Sequence, residues 1–260
     1  MNNHFDKVFI ITIPKRKEYV EQILQDYAID ATIIEGIDKK SPTLIEDAIK
    51  NDIIVESPKY NYKPSKIAVH WAHINALKTF LQDPDAESAV ICEDDLYQVN
   101  SNQKTSEILN QCMKDLTEHK WDLLFLSRCY DQKSTTIPIT DNIVRTFDSY
   151  CRGCYAVTRK CAEILVHVKL TPNLKYERSS AGDQSNNQLI KSGVISALAI
   201  EPPIYIQNRN QLQSENGHKL QYLSTYSPNI YLFMYNPYTI TTILFIIIFL
   251  VYCTFKHLNK

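Results

Sequence analysis

The alternation of short apolar segments with amphipathic segments restricts the fold of this chain more than any other feature of its sequence. Apolar segments of strand length occur at residues 7–13, 31–35, 88–92, 121–127, 155–158 and 194–200. Segments with apolar residues at helical spacing occur at residues 16–27, 65–81, 105–118 and 159–168. Strands that alternate with helices of this length indicate βαβ units. We therefore predict an α/β domain with a mainly parallel sheet over residues 1–210, with Ser65 as the cap of the second helix.

The composition excludes one class of partner. The chain has 260 residues, of which 44% are hydrophobic and 22% are charged, enough for one sizeable core. Its net charge is −1 and its pI is about 6.6. A chain with this charge balance has no basic surface for a phosphate backbone, so we expect no nucleic-acid partner.

An uncharged apolar segment near the C-terminus predicts a membrane anchor. Residues 238–255 read YTITTILFIIIFLVYCTF, directly after Asn236 and Pro237, which suit the start of a helix. Such a helix rises about 1.5 Å per residue and just crosses a hydrocarbon core of about 30 Å. We predict a single-pass anchor at residues 237–256, preceded by a linker at 211–236. A buried core helix is the alternative.

The side of the membrane is predicted from cysteines and glycosylation signals. Seven cysteines without regular spacing argue against a disulfide framework, and no Asn-x-Ser/Thr acceptor occurs. Both observations favour a catalytic domain that faces the cytoplasm. Lys256 and Lys260, which follow the apolar segment, favour the opposite orientation.

Three consecutive acidic residues, Glu93, Asp94 and Asp95, follow the third apolar segment in the stretch AVICEDDLYQV. Adjacent carboxylates repel one another, so either water solvates them in an exposed turn or a cation lies between them. Alternate side chains of an extended segment share a face, so Glu93 and Asp95 are expected to point together and Asp94 away. Mg²⁺ and Mn²⁺ prefer such oxygens and accept phosphate as a further ligand. Without a glycine-rich phosphate loop in the chain, a cation would have to neutralise the phosphates of a bound nucleotide.

Five stretches follow one another in the order known from one enzyme family. They are KVFIITIPKRKEYVEQI, IAVHWAHINALK, VICEDDLYQV, RGCYAVTRKCAEIL and AGDQSNNQLIKSGVISALAIEPPIYIQ, and they extend over roughly residues 7 to 207. Together they resemble glycosyltransferase family 25, the lipooligosaccharide-biosynthesis and procollagen galactosyltransferase group. The resemblance implies a Rossmann-like nucleotide-sugar glycosyltransferase domain of the A type. It places the family histidine on His73 and the late family aspartate on Asp183.

The chain also departs from the family pattern. Thr12 stands where asparagine is usual, and Tyr19 stands where arginine is expected, which leaves Arg16 or Lys17 as the substitute. The small residues of the second helix differ as well: Ala68, Val69 and Ala72 replace the usual Gly, Cys and Ser.

The resemblance implies a metal-dependent, inverting transfer of a hexose, galactose in the first instance, from a UDP-sugar to a glycan or hydroxylated protein. The implied roles are metal binding by Glu93 and Asp95, with Mn²⁺ or alternatively Mg²⁺; donor binding by Thr12, Arg16, Asp94 and His73; and proton abstraction by Asp183. For Asp183, metal or donor binding and simple capping of a helix remain alternatives. A catalytically inactive binding or scaffold protein, or another metal-dependent phosphoryl-transfer enzyme, remains the alternative for the whole chain.

Overall fold

The computed structural model of the chain describes residues 1–56, 62–128, 130–131, 136–173, 178–179 and 182–208. The predicted linker and membrane anchor at 211–256 lie outside these residues. Within the described residues, no helix combines the length and the apolar character that crossing a membrane requires.

The described residues form six α-helices. They are α1 (Lys17–Asp26), α2 (Leu44–Lys50), α3 (Pro64–Leu81), α4 (Asn102–Leu116), α5 (Arg159–Leu165) and α6 (Gly182–Lys191). A 3₁₀ turn, Pro14–Arg16, precedes α1. Helix α3 begins at Pro64 rather than behind a Ser65 cap, because proline suits the first helical position and Lys63 before it is extended. Helix α4 has a true cap, since the Ser101 hydroxyl accepts the Lys104 N–H.

The strands are β1 (Lys7–Thr12), β2 (Thr32–Glu35), β3 (Ser88–Glu93), β4 (Leu96–Gln98), β5 (Leu123–Ser127), β6 (Tyr130–Asp131), β7 (Ile137–Pro138), β8 (Ile143–Arg145), β9 (Ser149–Tyr150), β10 (Cys154–Thr158), β11 (Pro172–Asn173), β12 (Arg178–Ser179), β13 (Ala197–Ile200) and β14 (Tyr205–Gln207). Eight of them form the central sheet in the order β2-β1-β3-β10-β5-β13-β8-β7, and the pairs β4–β14, β6–β9 and β11–β12 lie outside it.

The sheet is mixed, which corrects the prediction of a mainly parallel one. Strand β1 pairs with β2 and β3 in parallel, as β5 does with β13, but the other four neighbouring pairs are antiparallel. The difference arises mainly at β10, which inserts between β3 and β5 and runs against both. Its start therefore lies at the edge where β3 ends, and the Glu93 N–H donates to the Gly153 carbonyl at 2.8 Å.

Helices cover both faces of the sheet. One apolar cluster joins α2, α3 and α5 to residues such as Phe9, Ile91 and Phe125, and a second joins α1 and α4 to residues such as Ile10 and Val90. Neighbouring strand residues thus belong to opposite clusters, as the two-residue period of a strand requires. The result is an α/β domain of three layers with the sheet buried in the middle.

The cysteines agree only partly with the expectation of free thiols. Cys92, Cys112, Cys154 and Cys161 are free and buried. Cys151 is disulfide-bonded. The expectation therefore fails at Cys151.

Candidate functional site

The acidic triplet lies where the central strands β1 and β3 both end. Glu93 is the last residue of β3, and Asp94 and Asp95 form the turn that leads into β4. Strand β1 runs parallel to β3 and ends beside it at Thr12. Parallel strands bring their carboxyl ends to one edge of the sheet, where ligands bind in folds of this class.

A cleft of about 710 Å³ opens at this edge. Its wall combines the end of β1, the turn before α1, the loop after β2, the first half of α3 and the acidic triplet. The lining residues that bear on its chemistry are Thr12, Lys15, Arg16, Lys39, Lys40, Ser65, Ala68, Val69, Ala72, His73, Glu93, Asp94 and Asp95. The cleft is therefore lined by both acidic and basic side chains, with Glu35 and Asp38 beside the two lysines, and its volume suits a ligand of nucleotide-sugar size.

Asp94 holds the end of β1 and the start of the first helix together. The Thr12 hydroxyl donates to Asp94 Oδ2 at 3.1 Å, and Arg16 Nη1 donates to Asp94 Oδ1 at 2.6 Å. Burial raises the pKa of Asp94, and the charge of Arg16 opposes that shift. Lys17 pairs instead with Glu21 on the surface. Of the two residues that could replace the family arginine, Arg16 is therefore the one that reaches the site. Asp94 orients the Arg16 side chain and is not free to bind a ligand.

His73 connects Glu93 to the buried core. Its Nε2 lies 3.2 Å from Glu93 Oε1, and its Nδ1 lies 3.0 Å from the Tyr155 hydroxyl. Burial first, and then the charge of Arg152, lower the pKa of His73 to about 4, so its ring is neutral near pH 7. A carboxylate only accepts hydrogen bonds, so Nε2 carries the proton and donates, and Nδ1 accepts from Tyr155. The ring thereby fixes one oxygen of Glu93.

Glu93 and Asp95 converge on the side chain of Gln207 at the end of β14. Gln207 Nε2 lies 3.2 Å from Glu93 Oε2 and 3.4 Å from Asp95 Oδ1. Asp94 faces Thr12 and Arg16 instead. The expected grouping of Glu93 with Asp95 is therefore observed, but Asp94 and Asp95 lie in a turn rather than in the extended segment on which the expectation rested. The amide N–H donors of Gln207 occupy the position in which a cation would meet both carboxylates.

The fit of a metal to these residues is partial. Among the described residues, no three His, Cys, Asp or Glu side chains are arranged to hold a metal ion. Two carboxylates can hold one hard cation only if a ligand such as a diphosphate supplies further oxygens and the Gln207 amide gives way. His70 and His73 do not form a metal pair, because His70 Nε2 donates to the Val168 carbonyl at 2.7 Å.

Asp183 lies near this group of residues but not on the cleft wall. It is the second residue of α6, and its carboxylate accepts the Gln184 N–H at 2.8 Å and the Cys151 N–H at 3.3 Å. Its negative charge acts on His73 and raises the pKa of that ring, against the lowering by burial and by Arg152. The carboxylate therefore stabilises the first turn of α6 and faces the segment that leads into β10.

Sequence reasoning missed two residues at this edge, Arg152 and Gln207. Arg152 is the first residue of one stretch that resembles the family and Gln207 is the last residue of another, but only contacts distant in sequence show their role. Gln207 is separated from Glu93 by 114 positions. Lys39 and Lys40 were also missed, because a pair of lysines in a polar loop has no distinguishing pattern.

Comparisons with known proteins leave the family open. No known family profile and no curated protein matches the chain. A solved structure with some similarity, A197 from STIV, has 12% identity and a TM-score of 0.39 over 74% of this chain and 80% of that one. The 4-diphosphocytidyl-2C-methyl-D-erythritol synthase from Anaerococcus prevotii has 11% identity and a TM-score of 0.34 over 90% of this chain and 78% of its own.

The inositol-1-phosphate CTP transferase from T. maritima has 10% identity and a TM-score of 0.33 over 82% of this chain and 73% of that one. Likenesses this distant carry no argument about function. Membership of family 25 thus stays a prediction that rests on the sequence motifs.

Proposed function

We propose that the chain is a divalent-cation-dependent, inverting glycosyltransferase that uses a UDP-hexose, UDP-galactose in the first instance, and a glycan or protein acceptor. One observation carries the proposal: the cleft at the ends of β1 and β3 is lined by the convergent carboxylates Glu93 and Asp95 and also by basic side chains, among them Arg16. A nucleoside diphosphate sugar needs a cation at its diphosphate, which carboxylates can hold, and a pocket for its nucleoside.

The polar side chains around the acidic triplet have the following roles in this proposal. Glu93 and Asp95 hold the cation, Mn²⁺ or Mg²⁺, which when bound stabilises the charge that develops on the diphosphate leaving group. His73 keeps Glu93 oriented through its Nε2–H. Arg16, held by Asp94 and Thr12, offers its guanidinium to the donor phosphates.

Asp183 is the proposed base. A carboxylate at the acceptor side takes the proton from the attacking hydroxyl as the bond to the anomeric carbon forms. Asp183 lies at the same edge as Glu93, outside the donor cleft, which is the position an acceptor would approach. Its two main-chain hydrogen bonds hold the carboxylate in one orientation.

The test measures hydrolysis and transfer from UDP-hexoses with Mn²⁺, with Mg²⁺ and with EDTA. Turnover that requires the metal and disappears in Glu93→Gln supports the proposal, and Glu21→Gln, a surface carboxylate, serves as the control. Asp183→Asn should lose transfer but retain UDP and Mn²⁺ binding. If no UDP-hexose gives metal-dependent turnover, the proposal that the chain is an enzyme is refuted.

A non-catalytic nucleotide-binding protein is the second candidate. It is favoured by the contact of Gln207 with both carboxylates and by the two-carboxylate limit on the metal site. This candidate requires UDP binding without turnover. A two-metal phosphoryl-transfer enzyme is disfavoured, because it needs a second cluster of acids, and the described residues contain no such group.

The membrane anchor at 237–256 and the cytoplasmic orientation complete the proposal. The support for the anchor is the uncharged apolar segment, and the support for the orientation is that no Asn-x-Ser/Thr acceptor occurs in the sequence. Protease treatment of sealed membranes decides the orientation: a domain that faces the cytoplasm is digested without detergent when the cytoplasmic side is exposed.

A further inference from the structure

Arg152 is a buried cation at the edge of the sheet where the candidate site lies. It precedes Gly153 and β10, and only 8% of its surface is exposed. Its guanidinium lies directly over the first residue of α6, since a Cβ on Gly182 would overlap the guanidinium atoms. The absence of a side chain at Gly182 is what leaves room for the group.

The described residues provide no carboxylate within ion-pair distance of Arg152. Its contact is with a neutral ring: Nη1 lies 3.5 Å from His70 Nδ1. Burial first, and then the charge of Arg152, lower the pKa of His70 to about 3, so this imidazole is neutral at pH 7. A neutral imidazole does not compensate the charge of the guanidinium. By contrast, Arg16 is paired with Asp94 and Arg128 with Glu201.

A buried guanidinium without an anion is unfavourable. Arginine stays protonated in proteins, so it cannot escape the cost of burial by losing its proton. A substrate oxyanion would supply the missing charge, and the planar fork of the guanidinium matches the oxygens of a phosphate or carboxylate. No nitrogen of Arg152 is both fully enclosed and without a partner, so the nitrogens that His70 does not engage keep some solvent exposure.

We propose that Arg152 binds a phosphate or carboxylate group of the acceptor substrate. The inference rests on the proposed function and specifies the class of acceptor. Arg152 does not line the donor cleft, whereas Asp183, the proposed base, is adjacent to Gly182 and bonded to the N–H of Cys151. An acceptor whose hydroxyl meets Asp183 therefore brings its neighbouring acidic group to Arg152.

Inorganic phosphate is the probe of the anion site itself. Unfolding of the wild type is followed in sodium phosphate and in sodium chloride of equal ionic strength at pH 7. Phosphate should raise the melting temperature in a concentration-dependent way. Arg152→Gln should weaken phosphate binding by about tenfold or more, because it removes a charge-assisted pair. Arg145→Gln removes a positive charge from β8 and should keep the wild-type response.

Arg152→Met keeps the experiment decisive if the glutamine variant folds poorly. In chloride it should melt above the wild type, because an apolar side chain replaces a buried charge. A wild type that phosphate does not stabilise more than chloride does would overturn the inference.

Substrate measurements then separate the two sources of the anion. In Arg152→Gln, UDP affinity and donor hydrolysis should be unchanged, while transfer to phosphorylated or carboxylated sugars falls and transfer to neutral sugars does not. A fall in UDP affinity would instead assign Arg152 to the donor diphosphate and overturn the acceptor assignment. If the wild type has no transferase activity at all, the proposed function fails, and the phosphate titration still decides whether Arg152 binds an anion.

Discussion

Acidification should destabilise this protein through two histidines of helix α3. His70 and His73 are neutral when folded, since burial and the charge of Arg152 lower their pKa values to about 3 and about 4, from 6.5 without these effects. The unfolded chain takes up protons at these side chains as the pH falls below 6.5, whereas the folded chain does not. Stability is therefore lost between pH 6.5 and the folded pKa values, and it is retained above that window.

The loss can be estimated at pH 5. Each pH unit between the unfolded pKa and the working pH costs about 1.4 kcal/mol per histidine while the folded ring stays neutral. From pH 6.5 to pH 5 this amounts to about 2 kcal/mol for each ring, or about 4 kcal/mol for both. Such a loss is a large part of the total stability of a typical domain.

The measurement is urea unfolding at pH 7 and pH 5 of the wild type, His73→Gln, His70→Gln and the double variant. Each single variant should lose about 2 kcal/mol of the pH-dependent difference, whatever its stability at pH 7. Asn75 lies on the same helix and has no ionisable ring, so Asn75→Gln should keep the full stability difference between pH 7 and pH 5. Equal pH dependence in the wild type and the double variant would refute the assignment of neutral, buried rings.

Three further changes test the contacts of the site. Gly182→Ala should destabilise the fold by about 1–3 kcal/mol in urea unfolding, because its Cβ overlaps the Arg152 guanidinium. Asp94→Asn should cost about 2 kcal/mol by the same assay, since it removes the charge of the carboxylate that pairs with Arg16. Gln207→Glu should lower stability by about 2 kcal/mol by adding a third carboxylate to the pair, and Mn²⁺ should restore it, as thermal melts with and without the ion would reveal.

Matched controls exist for these three changes. Gly193→Ala has open space around its Cβ and carries only the cost of a positive φ, so it should be milder than Gly182→Ala. Glu21→Gln breaks an exposed pair and should change stability by less than about 0.5 kcal/mol. Gln98→Glu, on the strand that pairs with β14, should show no recovery with Mn²⁺. If a control variant showed a larger effect than the site variant that it matches, the contact proposed for that site variant would be contradicted.

The central strands and their helices were predictable because they are long and strongly patterned. Strands β1, β3 and β5 and helices α1, α3 and α4 all lie where periodicity placed them. Strand direction was not predictable at β10, because an apolar period of two is the same for a parallel and an antiparallel neighbour. Strands β4, β8 and β14 have three residues each, too few for a periodic pattern to be recognised.

The candidate site was predictable only as far as local geometry determines it. The expectation separated Asp94 from Glu93 and Asp95, as the contacts do, although a turn and not an extended segment produces this arrangement. The contacts of Asp94 with Thr12 and Arg16 and of Gln207 with the carboxylate pair depend on how distant segments meet. The pairing of Glu93 with a neutral His73 likewise requires the burial that only the folded chain provides.

The position of Asn208 has a consequence for every shortened or fused version of this protein. Its N–H donates to the Asp95 carbonyl at 2.5 Å, and its side chain donates to the Tyr19 hydroxyl at 3.2 Å. A truncation that removes Asn208 also removes its hydrogen bond to the acidic turn, and a tag joined directly after Asn208 is expected to strain that turn. Recombinant versions cut before this asparagine are therefore expected to misreport cation affinity even when they fold.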